Sequence, residues 1–119
     1  MHIGRTNTIL YCQKWQETVA FYRTIFIFPI SYQNDWFVEF QLADHTYLSI
    51  AYERRASIHS ASGEGITLSW QVSNLTEMHA ALTKQGIAVS DVCKKWGASL
   101  FYLHDPEGHR VELWQPEVG

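Results

Sequence analysis

The run Phe101-Tyr102-Leu103-His104-Asp105-Pro106-Glu107-Gly108-His109-Arg110-Val111-Glu112-Leu113-Trp114 decides how the rest of the chain is read. Ser99 to His104 reads as one strand and Arg110 to Trp114 as the next. Between them Asp105-Pro106-Glu107-Gly108 is a turn with a mechanism: proline fixes one φ and glycine supplies another. Alternate residues of a strand share a face, so Arg110, Glu112 and Trp114 point the same way.

Working outward, Ile87 to Val92 reads as a short strand. Gly86 sits where a left-handed helix cap belongs. Leu75, Met78 and Leu82 form the apolar stripe of a helix, and Asn74 with Glu77 resembles a capping box at its start. Ile66, Leu68, Trp70 and Val72 alternate with Thr67, Ser69 and Gln71, which predicts a strand. The Ser-rich stretch from Glu53 to Glu64 reads as a surface linker.

The same order occurs once more upstream. Thr6 to Cys12 predicts a strand, with Thr8, Leu10 and Cys12 on one face and Asn7, Ile9 and Tyr11 on the other. A helix follows from about Trp15, with Trp15, Val19, Tyr22 and Phe26 at helical spacing. Strands are expected at Pro29–Tyr32, Trp36–Leu42 and Thr46–Tyr52, separated by turns at Asn34-Asp35 and Ala43-Asp44-His45. The reading is therefore an α+β chain of two βαβββ modules. They span about residues 5–53 and 65–117, joined by a linker over about 54–64, within one domain over 1–119.

Composition narrows the function classes. With 46% hydrophobic and 18% charged residues, the chain can bury a core and is not a disordered segment. Neither cysteine belongs to a CxxC, which predicts two reduced thiols and a cytoplasmic setting. The net charge of −3, with no basic stripe, argues against nucleic acid as a partner. No apolar stretch is long enough for a membrane helix. Five Trp, six Tyr and six Phe exceed what core packing needs, and the surplus suits a ring-walled ligand pocket.

The stretch from Phe101 to Trp114 resembles the F-x-x-x-D-P-x-G-x-x-x-E-L signature of the vicinal-oxygen-chelate superfamily, which includes glyoxalases, bleomycin-resistance proteins and extradiol dioxygenases. Trp96-Gly97 resembles the W-G that often precedes that signature. Asn7 through Phe21-Tyr22 resembles the opening strand and helix. The resemblance implies two βαβββ modules curling into an open, barrel-like cup, and a homodimer. It also implies a divalent metal held by four side chains, whose positions fall on Asn7, Ser49, Thr67 and Glu112. Only Glu112 keeps a usual ligand type, so no metal or other cofactor is expected and the site reads as degenerate. His104 and His109 flank the turn and are expected on a solvated rim; a non-standard metal site using them stays open. The sequence also departs from the pattern after the first helix. Phe26-Ile27 stands where Leu-Gly is usual, and a β-branched Ile resists the left-handed conformation.

Without the metal, the cup is expected to hold a small organic ligand of cationic or aromatic character, because aromatic faces attract cations. The candidate ligand-binding residues are Asn7, Tyr11, Phe37, Glu39, Ser49, Thr67, Trp96, Tyr102, Arg110, Glu112 and Trp114. If the chain is catalytic, Glu112 is the residue to carry a proton. Sequestration and catalysis both stay open, the alternative being a metal-dependent lyase or dioxygenase with an altered ligand set centred on Glu112.

Overall fold

The computed structural model describes residues 1–118. Its contacts divide the chain into two compact units, Met1–Ser62 and Gly63–Gly119. Each unit runs strand, helix, then three strands.

In the first unit β1 (Thr6–Cys12) leads into α1 (Trp15–Ala20), which loosens into a wider π-helical turn over Phe21–Ile25. β2 (Ile30–Gln33), β3 (Phe37–Ala43) and β4 (Thr46–Tyr52) follow, and the sheet order is β1-β4-β3-β2. The second unit repeats this with β5 (Thr67–Gln71), α2 (Leu75–Lys84), β6 (Cys93–Lys95), β7 (Ala98–His104) and β8 (Arg110–Pro116), in the order β5-β8-β7-β6. In both sheets the first strand pairs parallel with the last, and the other pairings are antiparallel. Neither sheet closes on itself.

Alternation explains which face is buried. In the first unit Leu10, Cys12, Val38, Phe40, Leu48 and Ile50 are buried, as are Thr18, Phe21 and Tyr22 of the helical segment. Fully burying a Val, Leu, Ile or Phe side chain among these stabilises by about 1.5–3 kcal/mol relative to leaving it exposed. Trp15 fixes the helix start: its indole N–H donates to the Ile50 carbonyl at 2.8 Å and its ring stacks on Tyr52. In the second unit Leu68, Phe101, Leu103, Val111 and Leu113 are buried, with Leu75 and Leu82 of α2. The opposite face of each sheet mixes polar and apolar side chains: Asn7, Glu39 and Ser49 stand with Ile9, Phe37 and Ala51 in the first, and Arg110 and Glu112 with Leu100 and Trp114 in the second.

Several local expectations change. The helix after Tyr22 does not avoid the left-handed region: Ile27 itself takes φ 59° while 77% exposed. The Phe28 N–H reaches back to the Tyr22 carbonyl, and the stacked rings of Tyr22, Phe26 and Phe28 hold this exit in place. Ring packing therefore overrides the local preference of Ile27. Asn74 makes no side-chain cap; the Leu75 N–H is instead satisfied by the Gln115 side chain at 3.1 Å. The strand expected at Ile87–Val92 is absent, and the edge strand is Cys93–Lys95. Ser90 still pairs with Tyr102, its N–H donating to the Tyr102 carbonyl at 2.9 Å while its hydroxyl takes the Tyr102 N–H at 2.8 Å in place of a backbone carbonyl. Gly86 caps α2 as expected, at φ 81°, with the Ile87 N–H bonded to the Leu82 carbonyl.

Candidate binding faces and the turn that holds them

The turn quoted at the outset is built around one buried carboxylate. Asp105 Oδ1 accepts the backbone N–H groups of Glu107, Gly108 and His109 at 2.9–3.0 Å. Its Oδ2 lies 2.8 Å from His109 Nδ1. The Asp105 and His109 side chains are 0% and 6% exposed. His109 is therefore an interior residue and not the solvated rim residue expected; the i,i+4 spacing from Asp105 across a turn was the available signal. His104 is exposed, as expected. Gly63, at φ 80°, lies so close to the Gly108 carbonyl group and the His109 nitrogen that a Cβ there would collide with backbone. The pair thus sets the start of β8, and with it the placement of Arg110 and Glu112.

On the polar face of the first sheet, cross-strand register lines up Asn7 with Tyr47, Ile9 with Ser49, and Glu39 with Ser49. The charges there are closed off internally. Arg5 lies 3.6 Å over the Tyr47 ring and pairs with Glu39 at 3.0 Å. The same carboxylate accepts from Ser31 at 2.7 Å and from Asn7 at 3.4 Å. Ser49, fully buried, donates to Asn7 Oδ1 at 2.8 Å. The structure thus brings Asn7, Glu39 and Ser49 together. Arg5, which sequence reasoning missed, joins them, because nothing in a pre-strand arginine announces a partner 34 residues on. Phe37 and Tyr11 are half-buried on the same strands.

The polar face of the second sheet has a different balance. Thr67 lies opposite Arg110, and both Ser69 and Tyr102 lie opposite Glu112. Arg110 Nε donates to Thr67 Oγ1 at 2.9 Å, and the guanidinium carbon sits 4.5 Å from the Tyr102 ring centre. Ser69 donates to Glu112 Oε1 at 2.6 Å. Neither Arg110 nor Glu112 takes part in an ion pair among the described residues. Trp114, half-buried, follows on the same face. Trp96 stands apart, 85% exposed at the tip of the β6–β7 hairpin, with φ 51°.

The side chains at the four positions where the sequence resemblance implies a divalent metal are a poor set of donors for one. Asn7, Ser49 and Thr67 are neutral, Asn7 and Thr67 already accept hydrogen bonds, and Thr67 has a guanidinium directly against it. Among the described residues no group of three or more His, Cys, Asp or Glu stands close enough to hold a metal ion.

No protein-family model matches the sequence. No curated protein matches it either. Solved structures do. A lactoylglutathione lyase from Agrobacterium tumefaciens superposes with a TM-score of 0.78 at 19% identity, covering 92% of this chain and 91% of that one. A bleomycin resistance determinant encoded on the transposon Tn5 gives 0.74 at 19% identity, covering 96% and 98%. An antibiotic-binding protein from Streptomyces sp. CB03234 gives 0.80 at 16% identity, covering 98% and 97%. With its two four-stranded mixed sheets and its repeated βαβββ order, the chain has the vicinal-oxygen-chelate fold seen in glyoxalases, bleomycin-resistance proteins and related dioxygenases.

Proposed function

We propose that this chain binds a small aromatic organic ligand carrying a cationic group, and does so without the divalent metal of the metal-dependent members of its fold. One observation carries the reading: Glu112, the one charged donor among the four positions that the resemblance implies for a metal, is tethered by Ser69 and has no ion-pair partner among the described residues. Tyr102 opposite and Trp114 on the same face supply rings for stacking and for cation–π attraction. Thr67, on the neighbouring strand of the same sheet, offers a polar anchor rather than a metal ligand. Support comes from the antibiotic-binding protein from Streptomyces sp. CB03234, which has the same fold. The ligand is held as cargo, the chain acts as a homodimer in the cytoplasm, and no cofactor takes part.

The test is calorimetric. Chelator-free protein is titrated with Ni, Zn, Mn and Fe ions and, separately, with tryptamine, a planar aromatic amine. Saturable tryptamine binding that weakens in Glu112→Gln, with no stoichiometric metal uptake, is the expected result. Tight one-to-one metal binding that disappears in Glu112→Ala would move the assignment to a metal-dependent lyase or dioxygenase.

A further inference from the structure

The two polar sheet faces treat charge differently, and the contrast identifies a second group on the ligand. In the first sheet the carboxylate of Glu39 is satisfied from within, by Arg5, Ser31 and Asn7. In the second sheet an acid and a base stand two residues apart on one strand and ignore each other. Alternate residues of a strand are separated by about 6.5 Å along it, a span that extended Arg and Glu side chains bridge with ease. Here each is instead drawn away by a neighbour. Thr67 and the Tyr102 ring hold the Arg110 guanidinium, and Ser69 holds Glu112. Both charges are left pre-oriented and without an ion-pair partner among the described residues, and Tyr102, which lies opposite Glu112 in the ladder, carries its ring under Arg110.

An arrangement that keeps a fixed acid from a fixed base costs the attraction of the pair, and it is complementary to a ligand with the opposite order of charges. From this we infer that the ligand is a zwitterion: an aromatic molecule bearing an ammonium group, taken by Glu112, and a carboxylate a few bonds away, taken by Arg110. The planar guanidinium, with its Nε engaged by Thr67, keeps its terminal N–H groups for a carboxylate in forked geometry. The ring of the ligand lies against Tyr102 or Trp114. The inference rests on the binding reading above and sharpens it, because a cationic aromatic ligand alone leaves Arg110 without a role.

Three probes of matched ring and chain separate the two. Tryptophan carries both charges, tryptamine only the ammonium, and indolepropionate only the carboxylate. In calorimetric titration of the full chain, tryptophan is expected to bind about tenfold or more tightly than either single-charge probe, the gain from one added charge-assisted contact at each end. Glu112→Gln lowers tryptophan to the level of indolepropionate, and Arg110→Gln lowers it to the level of tryptamine. The wild-type series needs no variant, so a misfolded mutant does not spoil it. If tryptamine binds as tightly as tryptophan, the zwitterion inference falls while the binding function stands. If none of the three binds, both fall.

Discussion

Replacing Asp105 by Ala removes one carboxylate, and its cost can be worked from the hydrogen bonds that carboxylate makes. Of the three N–H groups on Oδ1, that of Gly108 keeps a second acceptor, the Asp105 carbonyl at 3.0 Å. The N–H groups of Glu107 and His109 lose this acceptor in a buried setting, and the His109 imidazole loses its partner at 2.8 Å. Stranding a buried donor costs about 1–3 kcal/mol. Three such groups, with some relaxation and water entry, give about 3–5 kcal/mol. That is a large share of the roughly 5–15 kcal/mol that holds a domain together. Asp105→Asn is the sharper comparison. The amide keeps an acceptor for the backbone groups and presents N–H to a His109 ring that can change tautomer, so its cost is about 1–2 kcal/mol. Urea unfolding, followed by tryptophan fluorescence and far-ultraviolet circular dichroism, measures both. An Asp105→Ala variant within about 1 kcal/mol of the wild type, or an Asn variant as unstable as the Ala one, would refute the view that this carboxylate organises the turn.

Two further perturbations test backbone geometry. Gly63→Ala places a methyl group into the backbone of Gly108 and His109 and is expected to destabilise by about 2–4 kcal/mol; Gly65→Ala, at nearly the same φ but with open space around it, costs about 1–2 kcal/mol. Equal losses for the two in thermal or urea unfolding would show that the Gly63 approach is not close. Ile27→Gly relieves an exposed β-branched residue held at φ 59° and is expected to raise stability by about 0.5–1 kcal/mol, net of the added freedom of the unfolded chain. A loss of stability on that substitution would mean that the Ile27 side chain contributes packing that outweighs its strain.

The sequence by itself determined the order of elements and most of the burial. Period-two alternation in Thr6–Cys12, Thr67–Gln71 and Arg110–Trp114 put Leu10, Cys12, Leu68, Val111 and Leu113 on one face, and those residues are buried. This follows because alternation is a local property, readable wherever one face of a sheet is covered. The Asp-Pro-x-Gly turn was likewise legible from proline and glycine alone. What only the tertiary structure decided are the partners. Glu39 and Glu112 look alike in the sequence, each an acid on a strand. One is neutralised by Arg5 and the other is left open beside Arg110. His109 moved from an expected rim to the interior because Asp105, four residues back, turned its carboxylate inward. Ile27 took a conformation its side chain disfavours because the stacked rings around Tyr22 fix the exit of the helix. Pairings of this kind depend on side chains brought together across strands and turns, where the energy of a specific contact exceeds the weak preference of any single residue, and no pattern along the chain records which contact prevails.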